Sequence, residues 1–215
     1  SEMCIRDSDM PHPEWLIPSM VFYDYSIDFI KEKFKVEPKI LDVGCAQGYG
    51  VYYMSIKFEK PKFVGVDIDK EKIDYANKML KSEKIEFITY DVSCKKTVKF
   101  FLKKYGNFDA ITCFEVLEHL PPTKSNRMLE NISELLRNDG LLFISTPNKK
   151  IYNIDGYTSD HINEMEFEEF INLLTLSSFS IDKIFGINYL PTNYVTASWK
   201  LKLVNKIDNK IHKLN

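Results

Sequence analysis

From Lys39 onward, short apolar runs of strand length alternate with longer segments whose apolar residues recur every three or four positions. This alternation constrains the fold more than any other feature of the chain. A strand followed by a covering helix, repeated, builds a mostly parallel sheet with helices on both faces. Strands are predicted at residues 39–43, 62–66, 85–89, 108–114, 141–145 and 179–185. Helices are predicted at residues 49–58, 70–81, 98–104, 124–137 and 167–176. One more, over 20–34, precedes the first strand and is stopped by Pro38; Asn138 to Gly140 reads as a turn. The fold class is therefore α/β, a doubly wound, Rossmann-like sheet. The 215 residues suit one domain with a substantial core.

In such sheets ligands bind beyond the carboxyl ends of the strands, where the strand order reverses. The first strand runs into Asp42-Val-Gly44-Cys45-Ala46-Gln-Gly48-Tyr-Gly50. Glycines there let the backbone approach a ligand, and the following helix offers free N–H groups. The second strand ends at Asp67, about 20 residues past the glycines, where a carboxylate can accept both hydroxyls of a ribose. The loop lacks the spacing of a dinucleotide fingerprint and carries an acid two residues before its first glycine.

That arrangement resembles the first motif of class I S-adenosylmethionine-dependent methyltransferases, with Ala46 in place of the middle glycine. The resemblance extends from about Met20 to Phe185. It implies S-adenosylmethionine as cofactor, with Gly44, Cys45, Ala46 and Gly48 shaping the loop around the methionine part. It implies Asp42 near the amino group, Asp67 on the ribose and Ile68 packed on adenine. Asp91 and Val92 match the positions that meet the adenine edge, and the resemblance implies Phe114 as a further cofactor-binding residue. An intact set of this kind argues against a degenerate domain kept only as an interaction module.

The fourth strand leads into Phe114-Glu115-Val-Leu-Glu118-His119-Leu. Together with Asn138-Asp-Gly140, Ser145-Thr-Pro-Asn148 and Asp160-His161, this is similar to the branch containing ubiquinone-biosynthesis O-methyltransferases. On a helical turn Glu115 neighbours both Glu118 and His119, and two carboxylates with an imidazole suit a divalent metal. The same pattern resembles small-RNA 3′-terminal methyltransferases, which hold Mg²⁺ with E-x-x-E-H and a later histidine. The resemblance implies Glu115, Glu118, His119 and His161 as ligands of Mg²⁺ or Mn²⁺. Without a metal, His119 or His161 is the candidate general base, because imidazole ordinarily exchanges protons near neutral pH.

The branch implies transfer of a methyl group to an oxygen or nitrogen of a small molecule such as a quinone precursor, sugar or lipid-linked intermediate. Tyr23, Tyr25, Tyr152 and Tyr157 are expected on the acceptor side. The alternative acceptor is an RNA end, which needs a basic groove; Lys149, Lys150 and the lysines of residues 95–104 are the candidates. A net charge of −2 weighs against nucleic acid. No apolar run reaches membrane-spanning length. Cys4, Cys45, Cys94 and Cys113 are scattered without a C-x-x-C pair, the pattern of reduced thiols in a cytoplasmic protein.

Three regions follow: an irregular leader over 1–18, a cofactor-binding domain over 19–190, and a tail over 191–215. In the tail Val195, Trp199, Leu203, Ile207, Ile211 and Leu214 recur at helical spacing between lysines. This predicts an amphipathic helix packed on the domain, or, over 195–214, one lying on a membrane surface or partner. The final antiparallel strand usual in relatives is then missing, as it would be from a chain truncated before it.

Overall fold

The computed structural model describes residues 13–152, 161–189 and 197–206. Strands β1 (Lys39–Val43), β2 (Lys62–Asp67), β3 (Ile85–Thr89), β4 (Phe108–Phe114), β5 (Leu136–Ser145), β6 (Phe179–Tyr189) and β7 (Ala197–Lys206) form one sheet. Their order is β3-β2-β1-β4-β5-β7-β6. Strands β1 to β5 run parallel, and β7 lies antiparallel between β5 and β6. Order reverses where β1 sits between β2 and β4, the place at which such sheets generally bind ligands. The register there sets Asp42 beside Gly65 on β2 and Thr112 on β4.

The central strands are apolar on both faces because both are covered. Ile40, Phe63, Ile85, Ala110 and Phe143 pack with one set of helices: α1 (Pro13–Lys33), α2 (Tyr49–Ser55) and α3 (Lys70–Met79). Leu41, Val64, Ile111 and Leu142 pack with the other: α4 (Thr97–Tyr105), α5 (Pro122–Leu135) and α7 (Phe167–Leu176). A short α6 (Lys149–Tyr152) precedes the last of these. Local chemistry starts these helices where they are needed. Asp69 caps α3 by accepting the Glu71 and Lys72 N–H groups. Glu166 and Glu169 form a reciprocal capping box on α7.

Three expectations are corrected. The predicted tail helix is instead the antiparallel strand β7 over residues 197–206, so the final strand is present. Trp199-Lys-Leu201-Lys-Leu203 alternates with a period of two, and a spacing of four satisfies a strand as well as a helix. The open slot between β5 and β6 selects the strand. Residues 207–215, which carry the rest of the proposed stripe, lie outside the described residues. Second, α1 starts at Pro13, inside the expected irregular leader. Proline fits the first helical position, where its missing N–H is not needed. Third, the Asn138–Gly140 turn lies inside β5, as a bulge between the Phe108–Leu136 and Ala110–Leu141 pairs.

Phe143 has no exposed surface and meets Phe29 of α1 across a ring separation of 6.4 Å. Phe143→Ala should therefore destabilise the domain by about 3–5 kcal/mol. The readout is the urea midpoint at unchanged denaturant slope.

Candidate functional site

The loop after β1 is built from left-handed backbone. Gly44 has φ 77°, Ala46 φ 47° and Gly48 φ 82°. A Cβ on Gly44 would come within 2.3 Å of Val116, and one on Gly48 within 2.4 Å of Phe87, so close packing and conformation both demand glycine. The loop is tied to β2 through the Gly44 and Cys45 N–H groups, which donate to the Val66 carbonyl at 2.8 and 3.1 Å. Asp67 accepts from the Ala46 N–H at 2.8 Å and the Asp69 N–H at 2.9 Å. One carboxylate thus joins the loop to the start of α3 while keeping lone pairs for further donors.

Asp42 lies beneath this loop, 1% exposed. Its two oxygens accept the Thr112 hydroxyl at 2.6 Å and the Tyr23 hydroxyl at 3.1 Å. Burial pushes its carboxyl from an ordinary 3.8 up to about 7, the two hydroxyls oppose that, and the charge of Asp67 adds to it. Tyr23 was expected on the acceptor side; the structure instead sets it against the glycine loop, where a Cβ on Gly50 would strike its ring. Phe114 is held between Phe22, stacked at 5.2 Å, and Tyr23, edge-on at 5.0 Å. The first helix is thereby seated on the ends of β1 and β4.

Along the same edge, Ile68 is 63% exposed directly after Asp67. Asp91 accepts the Ser93 N–H and hydroxyl and pairs with Lys124 at 3.1 Å. The Val92 side chain is buried in the core, so only its backbone faces this edge. Cys45 is buried, and burial raises its thiol well above the usual range, so it serves as packing rather than as a nucleophile.

The second constellation sits at the end of β4. Glu115 has φ 56°, rare for a side chain of its size, and the strained residue turns the chain into a single 3-10 turn over Leu117–His119. Ligating atoms of Glu118, His119 and His161 lie within 4.8 Å of one another. The two imidazole rings meet edge-on, with centroids 4.8 Å apart. Glu115 is outside this cluster: the Ser145 hydroxyl donates to its Oε1 at 2.5 Å. The expected four-ligand set is thus brought together as three plus a neighbour, because the turn is 3-10 and not α-helical.

Burial raises both carboxyls; the charge of Glu118 pushes Glu115 further, well above the carboxylate range. Glu118 is fully buried, and the Thr146 hydroxyl donates to its Oε2 at 3.1 Å. Its Oε1 is buried with no donor, and a proton shared with Glu115 is the nearest remedy. Two buried acids side by side call for one positive charge, either that proton or a cation.

Tyr25 stacks on Phe185, away from the loop, and Tyr157 lies outside the described residues, as does the Tyr152 side chain. Among the candidate lysines, Lys150 pairs with Glu166 at 2.8 Å and Lys104 with Glu86 at 2.5 Å. No described helix is long and apolar enough to cross a membrane. Thr112, Lys124 and Glu164 were not singled out from sequence, and Ser145 and Thr146 only as part of a strand motif; their contacts reveal the roles.

Residues 21–181 match the family model described as a methyltransferase domain. The chain is 30% identical over 172 residues to a ubiquinone biosynthesis O-methyltransferase of Glaesserella parasuis, covering 71% of this chain and 70% of that one. Its fold is similar to a crystal structure of magnesium protoporphyrin IX methyltransferase from Synechocystis PCC 6803 with S-adenosylmethionine bound. That match has TM-score 0.64 and 16% identity, over 96% of this chain and 87% of the other. A crystal structure from Methanosarcina mazei, described as one of the S-adenosylmethionine-dependent methyltransferases, matches with TM-score 0.65 and 18% identity, over 83% and 97%.

The Asp42 carboxyl makes a pH-dependent prediction. Its folded value of about 7 exceeds the ordinary 3.8, so the stability of the neutral form is complete below the ordinary value and is lost as pH rises through about 7. A displacement that large corresponds to about 4 kcal/mol at alkaline pH. Asp42→Asn should raise the melting temperature at pH 8, with the gain shrinking steadily toward pH 5.

Proposed function

Given that this chain belongs to the methyltransferase domain family and is an S-adenosylmethionine-dependent methyltransferase, we propose that it methylates an oxygen of a small-molecule acceptor at the crevice between the glycine loop and the Glu118 turn. The observation that carries this reading is the cluster of Glu118, His119 and His161 on the same sheet edge as the loop. The name of the Glaesserella parasuis relative supports oxygen as the atom methylated.

Gly44, Cys45, Ala46 and Gly48 would hold the methionine part of the cofactor, and Asp42 would face its ammonium. Asp67 would take the ribose hydroxyls, Ile68 the adenine face, and Asp91 with the Val92 backbone its edge. Bound there, the cofactor supplies a methyl carbon already activated by its sulfonium. The chain's own work is then to orient the acceptor and exclude water. The rings of Phe114, Phe22 and Tyr23 close the crevice beneath α1.

The residues of the second cluster fit a divalent cation. Glu118 brings a buried oxygen with no donor, and the two imidazoles lie beside it, one exposed and one half-buried. One carboxylate and two imidazoles suit Mg²⁺ or Mn²⁺, with the remaining positions open. A cation held there supplies the positive charge that makes an acceptor hydroxyl easier to ionise. Without a cation there, His119, the exposed member, or His161 would instead take that proton as general base.

Thermal unfolding tests both halves. S-adenosylhomocysteine at about 100 times Kd should stabilise by about 2.7 kcal/mol, or roughly 5–10 °C. Asp67→Ala should abolish that shift. Mn²⁺ should add a further shift that Glu118→Ala removes while the S-adenosylhomocysteine shift survives. No shift in the unaltered protein would overturn the cofactor assignment; an Mn²⁺ shift that persists in Glu118→Ala would overturn the cluster.

A further inference from the structure

His161 comes from a segment remote in sequence from the Glu118 turn, yet it is fastened there by several contacts. The N–H groups of Ile162 and Asn163 both donate to the Glu118 carbonyl, at 2.9 and 3.0 Å. The Asn163 side-chain amide donates to the Leu117 carbonyl at 3.3 Å and to the Ser125 hydroxyl at 3.1 Å. The backbone on either side of the cluster is therefore one clamped unit. These bonds place the backbone of the histidine beside the cluster.

A different residue meets the ring. Nδ1 of His161 lies 2.9 Å from Oε1 of Glu164, and the two side chains are only 12% and 16% exposed. We infer that Glu164 is a positioning residue that accepts the Nδ1–H of His161 and so turns the Nε2 lone pair toward Glu118 and His119. A carboxylate behind a ligating imidazole selects the tautomer, holds the ring plane and makes the other nitrogen a better donor to a cation. The inference rests on the metal reading of the cluster and extends it to a residue outside the ligand set. A merely structural pair would stabilise the segment without affecting how the cluster binds an ion.

The test is Mn²⁺ affinity, followed by loss of the free-ion electron paramagnetic resonance signal, for the unaltered protein, Glu164→Ala and Glu164→Gln. Loss of such a partner typically weakens metal binding about 10–100-fold. Glu164→Ala should show a weakening in that range. Glu164→Gln, which keeps an oxygen acceptor for the Nδ1–H but not the charge, should recover part of it. Both variants should keep the affinity for S-adenosylhomocysteine, which reports that the domain is folded. Equal Mn²⁺ affinity in all three proteins would overturn the role of Glu164 alone. An unaltered protein that takes up no Mn²⁺ would overturn the metal reading and this inference with it.

Discussion

The pairing of β1 with β4 sets everything at the upper edge of the sheet. It brings Asp42 beside Thr112, and it starts the glycine loop and the Glu115 turn from neighbouring strand ends. Neither strand can slip by one residue without exchanging the faces served by Ile40 and Leu41, which lie in opposite cores. Packing on both faces thus fixes the register, and the register fixes the distance between the two halves of the crevice. Phe114, at the end of β4, then gives α1 its seat.

The crevice is rich in acids that folding alone does not favour. Asp42, Glu115 and Glu118 are each raised by burial, and Asp67 adds its charge beside the first. Hydroxyls from Tyr23, Thr112, Ser145 and Thr146 satisfy these carboxyls in part, without supplying a countercharge. Such groups lower stability and ready the site for cationic ligands, the exchange of stability for function seen at many active sites. On the proposed function, the cofactor's positive end and a divalent ion are the two charges that the crevice awaits.

Much of this was legible in the sequence. The alternation of periods gave the α/β class, because the central strands β1, β2, β4 and β5 are buried on both faces and each helix on one. The spacing of Asp42, Gly44, Gly48 and Asp67 carried the loop, since left-handed backbone and a strand-end acid depend on residue type. The Glu118-His119 pair and a distant His161 were also readable as a set. Contacts that join separate elements were not. Tyr23 on Asp42, Lys124 on Asp91 and Glu164 behind His161 depend on helix placement, which no local pattern encodes. The tail was misread because a spacing of four serves both periods, and only the vacancy beside β5 decides between them. Glu115 was misplaced because a helical turn was assumed where its left-handed backbone makes a tighter one.

The central claim is that the loop after β1 and the acid after β2 form one cofactor site. Amide hydrogen exchange with and without S-adenosylhomocysteine addresses it directly, since ligand binding suppresses local opening where the backbone is engaged. The account expects slowed exchange at residues 44–50 and 67–69, with the far ends of the strands unchanged. Protection confined to other segments, with those two unaffected, would contradict it.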